Sequence, residues 1–188
     1  GQYCRPSVGT EGNPQLRPDA EAVTGLLMQG ASLVANDIDT LTPELAAIAD
    51  ALEAALNGKA QTNLYCSWRE HRAFNSHFDT HDVYAIHTLG EKVWHIYEGR
   101  LDNPIAHPGF KNFGHEYHEQ HKGRVVAEIT MRPGDLLYIP RGQYHDALAS
   151  SDGTIHVSFG LTAVIGLDVL TLLYDQAIAD SLFRTNLP

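Results

Sequence analysis

Cysteine is scarce in this sequence: 188 residues contain only Cys4 and Cys66, with no Cys-x-x-Cys spacing. Two isolated thiols make neither a disulfide framework nor a thiolate metal site, so a reducing, cytoplasmic setting is expected. Basic residues are also few. Thirteen Lys and Arg stand against 23 Asp and Glu, a formal net charge of −10. Such a chain is a poor nucleic-acid binder and a better match for a basic partner. Long apolar runs are missing: Val164 to Leu173 is interrupted by Gly166 and Asp168 and is too short to span a bilayer, so no membrane partner is expected. The polar start, Gly1 to Arg17, carries no secretory signal. Repeats and low-complexity segments are absent, and 43% hydrophobic with 19% charged residues is an ordinary globular balance. The expected organisation is a flexible lead-in over residues 1–17 and one domain over 18–188.

What is plentiful is histidine. There are eleven, most of them between His71 and His145. Before that cluster the sequence reads as helical. Asp19 can cap a helix to about Met28 with Leu26 and Leu27 on its buried side, and Gly30 stops it. A short strand at Ser32–Ala35 follows. Thr42 then caps a helix through about Leu56, whose apolar set (Leu45, Ile48, Ala49, Leu52, Leu56) recurs at three and four residues, with Gly58 at its end.

From Gln61 the period becomes that of strands: Asn63–Trp68, Val83–His87, Lys92–Tyr97, Val125–Thr130, Leu136–Ile139 and Thr154–Gly160. Leu89-Gly90-Glu91 reads as a tight hairpin and Arg132-Pro133-Gly134-Asp135 as a turn. Glu98 to Gly123 has no clear periodicity and reads as a long loop. Helical material closes the chain from Gly166 to about Ile178, with a shorter piece through Phe183. Short strands flanked by helices indicate a mainly β fold, an antiparallel barrel or jelly roll with helical cover.

Within this frame one local pattern carries chemistry. In Ser76-His77-Phe78-Asp79, alternation lets His77 and Asp79 face one side while Phe78 faces the other. An imidazole and a carboxylate side by side are two-thirds of a facial metal site. The best third ligand is His145, where the strand through Ile139 meets a Pro140-Arg141-Gly142 turn. Two His and one carboxylate leave three octahedral positions open, as iron needs to bind a chelating cosubstrate and oxygen together. Zinc is more often closed by a fourth protein ligand or holds one water. His115, His118 and His121 recur every third residue, but in a polar stretch without Cys they read as solvated surface. Trp68 and Trp94 read as core, and His71, His81, His95, His107 and His156 as packing or surface.

Asn63-Leu64-Tyr65, His77/Asp79, Asp82-Val83, Gly90-Glu91-Lys92-Val93-Trp94 and the Gly134–His145 stretch together resemble the JmjC-type oxygenases of the cupin superfamily, in the ribosomal-oxygenase-like branch. The resemblance covers roughly residues 19 to 188. It implies a double-stranded β-helix and hydroxylation dependent on Fe(II) and 2-oxoglutarate, with iron on His77, Asp79 and His145. It further implies that Lys92 pairs with the far carboxylate of 2-oxoglutarate and that Asn63 and Tyr65 hydrogen-bond it. A peptide, protein or peptide-like substrate is also an expectation of this kind, while the oligomeric state, a homodimer included, stays open. Two positions depart from the pattern: His87 stands where Gln is common and Ala149 where Asn is common. His87 is therefore a candidate for the substrate side. Two rival functions are a metal-dependent cupin enzyme that does not use 2-oxoglutarate and a non-catalytic cupin binding module. Lys92 speaks against the first and the intact ligand set against the second.

Overall fold

In the computed structural model, which describes residues 3–9, 11–68 and 74–186, the period-two segments become antiparallel strands of two facing sheets. In chain order the elements are β1 (Cys4–Val8), β2 (Pro14–Pro18), α1 (Ala20–Met28), β3 (Leu33–Ala35), α2 (Pro43–Leu56), β4 (Gly58–Ser67), β5 (Asp82–Leu89) and β6 (Lys92–Arg100). They continue with α3 (Pro108–Lys111), α4 (His115–His121), β7 (Val125–Met131), β8 (Leu136–Ile139), β9 (Gln143–Ala149), β10 (Thr154–Ala163), α5 (Gly166–Ala179) and a 3₁₀ turn (Ser181–Arg184). The larger sheet has the order β3-β4-β10-β5-β8 and the smaller β7-β6-β9. This is the mainly β jelly roll that the sequence indicates.

Local signals set the helix starts. The Asp19 carboxylate accepts from the Glu21 and Ala22 N–H groups, and the Thr42 hydroxyl accepts from Leu45 N–H at 3.4 Å. The end of α2 differs from expectation. Asn57, not Gly58, takes the left-handed position (φ 50°), a conformation asparagine tolerates. Gly58 instead opens β4, where a Cβ would press on the Thr162 carbonyl at 2.8 Å. The stretch read as a flexible lead-in holds a hairpin, β1 with β2, whose residues are mostly exposed.

Leu89-Gly90-Glu91 does not form a hairpin. Both edges of β5 are taken, by β10 and β8, and both edges of β6, by β7 and β9. The turn therefore steps from one sheet to the other. Gly90 makes it possible with φ 71° and no side chain, because a Cβ there would overlap the Gly153 carbonyl oxygen. Arg132–Asp135 makes the same kind of step from β7 to β8. The Glu98–Gly123 stretch is not one loop either: β6 runs on to Arg100, and α3 and α4 follow.

Alternation then sorts the core. On the larger sheet Ala60, Val157, Phe159 and Leu161 pack beneath α2 with Ala49 and Ile38. Between the sheets lie Val83, Ala85, Trp94, Met131 and Ile139. A third cluster, Phe78, Tyr97 and Tyr144, gathers Leu101 and Phe113 around it. Helix α5 buries none of its residues, and Leu170, Leu172 and Leu173 are exposed. Among the described residues no helix is long and apolar enough to cross a membrane.

Gly90→Ala should lower stability by roughly 2–4 kcal/mol in urea unfolding, because the new methyl meets backbone in a conformation that already disfavours it. An unchanged midpoint would show that the inter-sheet corner yields easily.

Candidate metal centre and adjoining cavity

His77 lies outside the named strands but forms an antiparallel bridge with His145 of β9. His77 N–H donates to the His145 carbonyl at 3.1 Å, and His145 N–H returns a bond to the His77 carbonyl at 2.9 Å. Gly142 N–H donates to the Asp79 carbonyl at 2.8 Å. Gly142 has φ 82°, and any Cβ would overlap the Leu101 carbonyl oxygen, so the Pro140–Gly142 turn is specific to glycine. The two motifs are thus stitched together by their backbones. Phe78 turns away between the ligand candidates and packs edge-on against Tyr144 at 5.3 Å.

The side chains of His77, Asp79 and His145 converge, with one candidate ligand atom from each lying within 4.8 Å of the others. Asp79 Oδ1 is 3.9 Å from His77 Nε2, and Oδ2 is 3.6 Å from His145 Nε2. Both imidazoles are oriented from behind. His77 Nδ1 lies 2.7 Å from the Asn75 carbonyl and His145 Nδ1 2.9 Å from the Gln143 carbonyl. A carbonyl can only accept, so the proton sits on Nδ1 and each Nε2 offers a lone pair. Burial, with His77 beside it, pushes the His145 imidazole below its ordinary range and keeps it neutral. Burial alone would raise the Asp79 carboxyl, but His145, His77 and His81 outweigh it and hold it low. Neutral imidazoles and an ionised carboxylate are the forms in which a divalent metal is bound. The donor set fits a first-row metal with positions left open.

These groups line a cavity of about 200 Å³, metabolite-sized rather than drug-sized. Asn63 and Tyr65 of β4 and Lys92 and Trp94 of β6 line it too, as do His156 and Ser158 of β10. Each member of these pairs is two residues from the other, so each strand presents both to the same side. Lys92 is only 2% exposed. Its Nζ lies 3.2 Å from Ser67 Oγ and 3.2 Å from His156 Nδ1, and no carboxylate among the described residues pairs with it. Burial pulls its pKa down to about 8. A buried cation without a counter-anion, facing a cavity beside a metal-type triad, suits an acidic ligand.

Other histidines sit elsewhere than expected. His87 does not line the cavity. It is 1% exposed beside the inter-sheet corner, and its Nε2 lies 3.0 Å from the Gly90 carbonyl, so the reading of a substrate-side residue is not supported. β5 meets the cavity at Val83, and His87 lies four residues farther along it, at the corner. His115, His118 and His121 lie on α4 rather than in a loop; His115 and His121 are exposed, as a solvated surface requires, and His118 is half-buried. His118 packs on Phe78 and meets Tyr144 Oη at 3.2 Å, and His121 stacks on Tyr117. His71 lies outside the described residues. Trp94 is buried as expected but also forms cavity wall, while Trp68 is half-buried and donates to the Ala31 carbonyl. His156, read as packing or surface, is the residue that the sequence reading undervalued. Its signal was a polar pair, His156 and Ser158, alternating through an otherwise apolar strand.

A double-stranded β-helix with a His-Asp-His cluster at its opening defines the class as a cupin-type metal-site protein. Comparison narrows it: the chain belongs to the JmjC domain family, whose pattern matches residues 35–168, and its relatives lie in the ribosomal-oxygenase-like branch. It is 30% identical over 154 residues to ribosomal oxygenase 2 of Bos taurus, covering 77% of this chain and 32% of that protein. It is 25% identical over 147 residues to the bifunctional lysine-specific demethylase and histidyl-hydroxylase NO66 of Dictyostelium discoideum, covering 78% and 28%. Among solved structures, the ribosomal oxygenase YcfD of Escherichia coli in complex with cobalt and 2-oxoglutarate shares the fold, with a TM-score of 0.62 at 18% identity over 98% of this chain and 46% of that one. The chain thus spans about a third of the relatives' length and under half of YcfD's.

Metal binding is directly testable. Calorimetry with Mn(II) should show one site in the native protein and none in His77→Ala, Asp79→Ala or His145→Ala. At a hundredfold excess over Kd the metal should add about 2.7 kcal/mol to native stability and nothing to the variants. Equal stabilisation of native protein and variants would place the metal elsewhere.

Proposed function

We propose that this chain is the catalytic domain of an Fe(II)- and 2-oxoglutarate-dependent oxygenase that hydroxylates a peptide or protein side chain. The observation that carries the reading is one cavity lined both by the His77–Asp79–His145 triad and by the buried Lys92, which has no carboxylate partner among the described residues. When bound, iron(II) and 2-oxoglutarate supply the oxygen activation and the oxidising equivalents, which no side chain provides. The residues of the chain do the rest. His77 and His145 direct Nε2 lone pairs to the metal, and Asp79 contributes negative charge. Lys92 would receive the far carboxylate of the cosubstrate, a charge-assisted contact at a buried side chain. Asn63 and Tyr65 line the cavity from β4 of the other sheet and would offer polar contacts to the cosubstrate. Trp94 and Val83 are apolar lining that helps exclude water near the reacting centre.

A protein substrate is supported by the relatives, named as ribosomal oxygenases and as a histidyl-hydroxylase. The net charge of −10 favours a basic polypeptide through its effect on encounter.

Succinate formation, measured with Fe(II), 2-oxoglutarate and a panel of basic peptides, tests the reading. His77→Ala should abolish it, and Lys92→Ala should raise the KM for 2-oxoglutarate by about tenfold to a hundredfold. Full turnover in either variant would overturn the assignment.

The acidity of Lys92 gives a second expectation. The ammonium is the form that holds a carboxylate, and in the free protein it loses its proton near pH 8. Thus kcat/KM for 2-oxoglutarate should be level below pH 8 and fall above it, while kcat at saturation changes less because the bound anion raises the lysine pKa again.

A further inference from the structure

We propose that His156 is the positioning residue that holds the Lys92 ammonium in place and thereby makes the cavity select a ligand with a distal carboxylate. The inference rests on the reading of the cavity as a 2-oxoglutarate site.

An ammonium has three N–H donors and no acceptor. Among the described residues Lys92 Nζ has two partners, Ser67 Oγ and His156 Nδ1, each at 3.2 Å, so one donor is left for a cavity ligand. Since lysine can only donate here, His156 Nδ1 must accept, and its proton must sit on Nε2. Burial, then the charge of Lys92, drives the His156 pKa well below the ordinary imidazole value, so the ring stays neutral. A protonated ring would repel Lys92; a neutral one aims it.

The ring itself is held rigidly. His156 pairs in register with Tyr65 on one side and His87 on the other. It stacks on Tyr65 at 4.7 Å and 6°, lies parallel to His87 at 6.5 Å and 11°, and receives Trp94 edge-on at 5.3 Å. It is 4% exposed. The same Trp94 stacks on His145 at 5.9 Å, so one indole touches both the triad and the ring that meets the lysine. Lysine is a flexible four-carbon stem that loses rotamer freedom when fixed. Two preset partners place that loss in folding rather than in ligand binding, which favours affinity.

Two substitutions separate aiming from packing. His156→Phe keeps an aromatic ring for the stack but removes the acceptor, whereas His156→Asn keeps an acceptor near the Nδ1 position but removes the ring. Calorimetry on Mn(II)-loaded protein would use N-oxalylglycine, which carries a distal carboxylate, and oxalate, which does not. Circular dichroism melting would check folding. The native protein should bind N-oxalylglycine more tightly than oxalate. His156→Phe should lose about tenfold to a hundredfold in N-oxalylglycine affinity with oxalate unchanged, the size expected for losing a hydrogen bond to a charged group. His156→Asn should restore most of it. The inference is overturned if His156→Phe binds N-oxalylglycine normally, if it weakens both ligands equally, or if His156→Asn is as impaired as His156→Phe. Should His156→Phe fail to fold, His156→Asn decides alone: retained selectivity supports the inference, and lost selectivity overturns it. Should the native protein bind the two ligands equally, the 2-oxoglutarate reading itself fails.

Discussion

The reciprocal backbone bonds between His77 and His145 are the constraint on which the rest of the site depends. Each is individually modest, about 1 kcal/mol net. Their effect is geometric: they set the register of a segment outside the regular strands against the first residues of β9. Once His77 is opposed to His145, alternation sends both imidazoles to one side. The Gly142 N–H bond to the Asp79 carbonyl adds a third point, so the carboxylate cannot rotate away from the pair with its backbone. The ligand set is therefore a property of two backbones held in register rather than of three side chains that happen to meet.

The opposite face of the same register is equally occupied. Ser76 and Asp146 neighbour His77 and His145 in sequence, and by alternation they point away from the cavity. There Asp146 accepts from Ser76 Oγ at 2.9 Å and from Tyr97 Oη at 2.5 Å, and its other oxygen lies 2.8 Å from His95 Nδ1. A buried carboxylate is tolerated only with such partners. Lys122, just past α4, donates to Ser76 and sits over the Tyr97 ring. The helical insertion that follows β6 is thus tied through Ser76 to the segment that carries His77, and through the Ser76 and Tyr97 bonds to Asp146 it reaches β9, which carries His145.

What could be read from the sequence was what depends on neighbours in the chain. Asp19 and Thr42 announce their helices because capping is local, and the His77-x-Asp79 spacing is informative because strand alternation is local. Sheet membership is not. Leu89-Gly90-Glu91 has the residues of a hairpin, but whether its flanking strands pair depends on which edges β10, β8, β7 and β9 have already filled. Helix α4 was missed because His115–His121 has no aliphatic stripe; it packs through Tyr117 and His118 against Phe113, Tyr144 and Phe78. His156 was undervalued for a related reason. Its meaning comes from lying beside Tyr65 and His87 in register and opposite Lys92 of the other sheet, relations that no window of sequence contains.

The cavity has an electrostatic asymmetry that links its two functional groups. The triad presents a carboxylate between two imidazole Nε2 atoms, which a divalent cation would complete. Lys92 presents a cation with two neutral acceptors, which an anion would complete. Removing either charge from water without a partner costs free energy, and the lowered pKa of Lys92 is the visible trace of that cost. A chelate of a metal with a dicarboxylate would satisfy both at once, with Asp79 opposite its cation and Lys92 available to its far carboxylate. Neither component alone does so. Metal and cosubstrate should therefore favour one another's binding through the cavity's own charges, in addition to any direct bond between them.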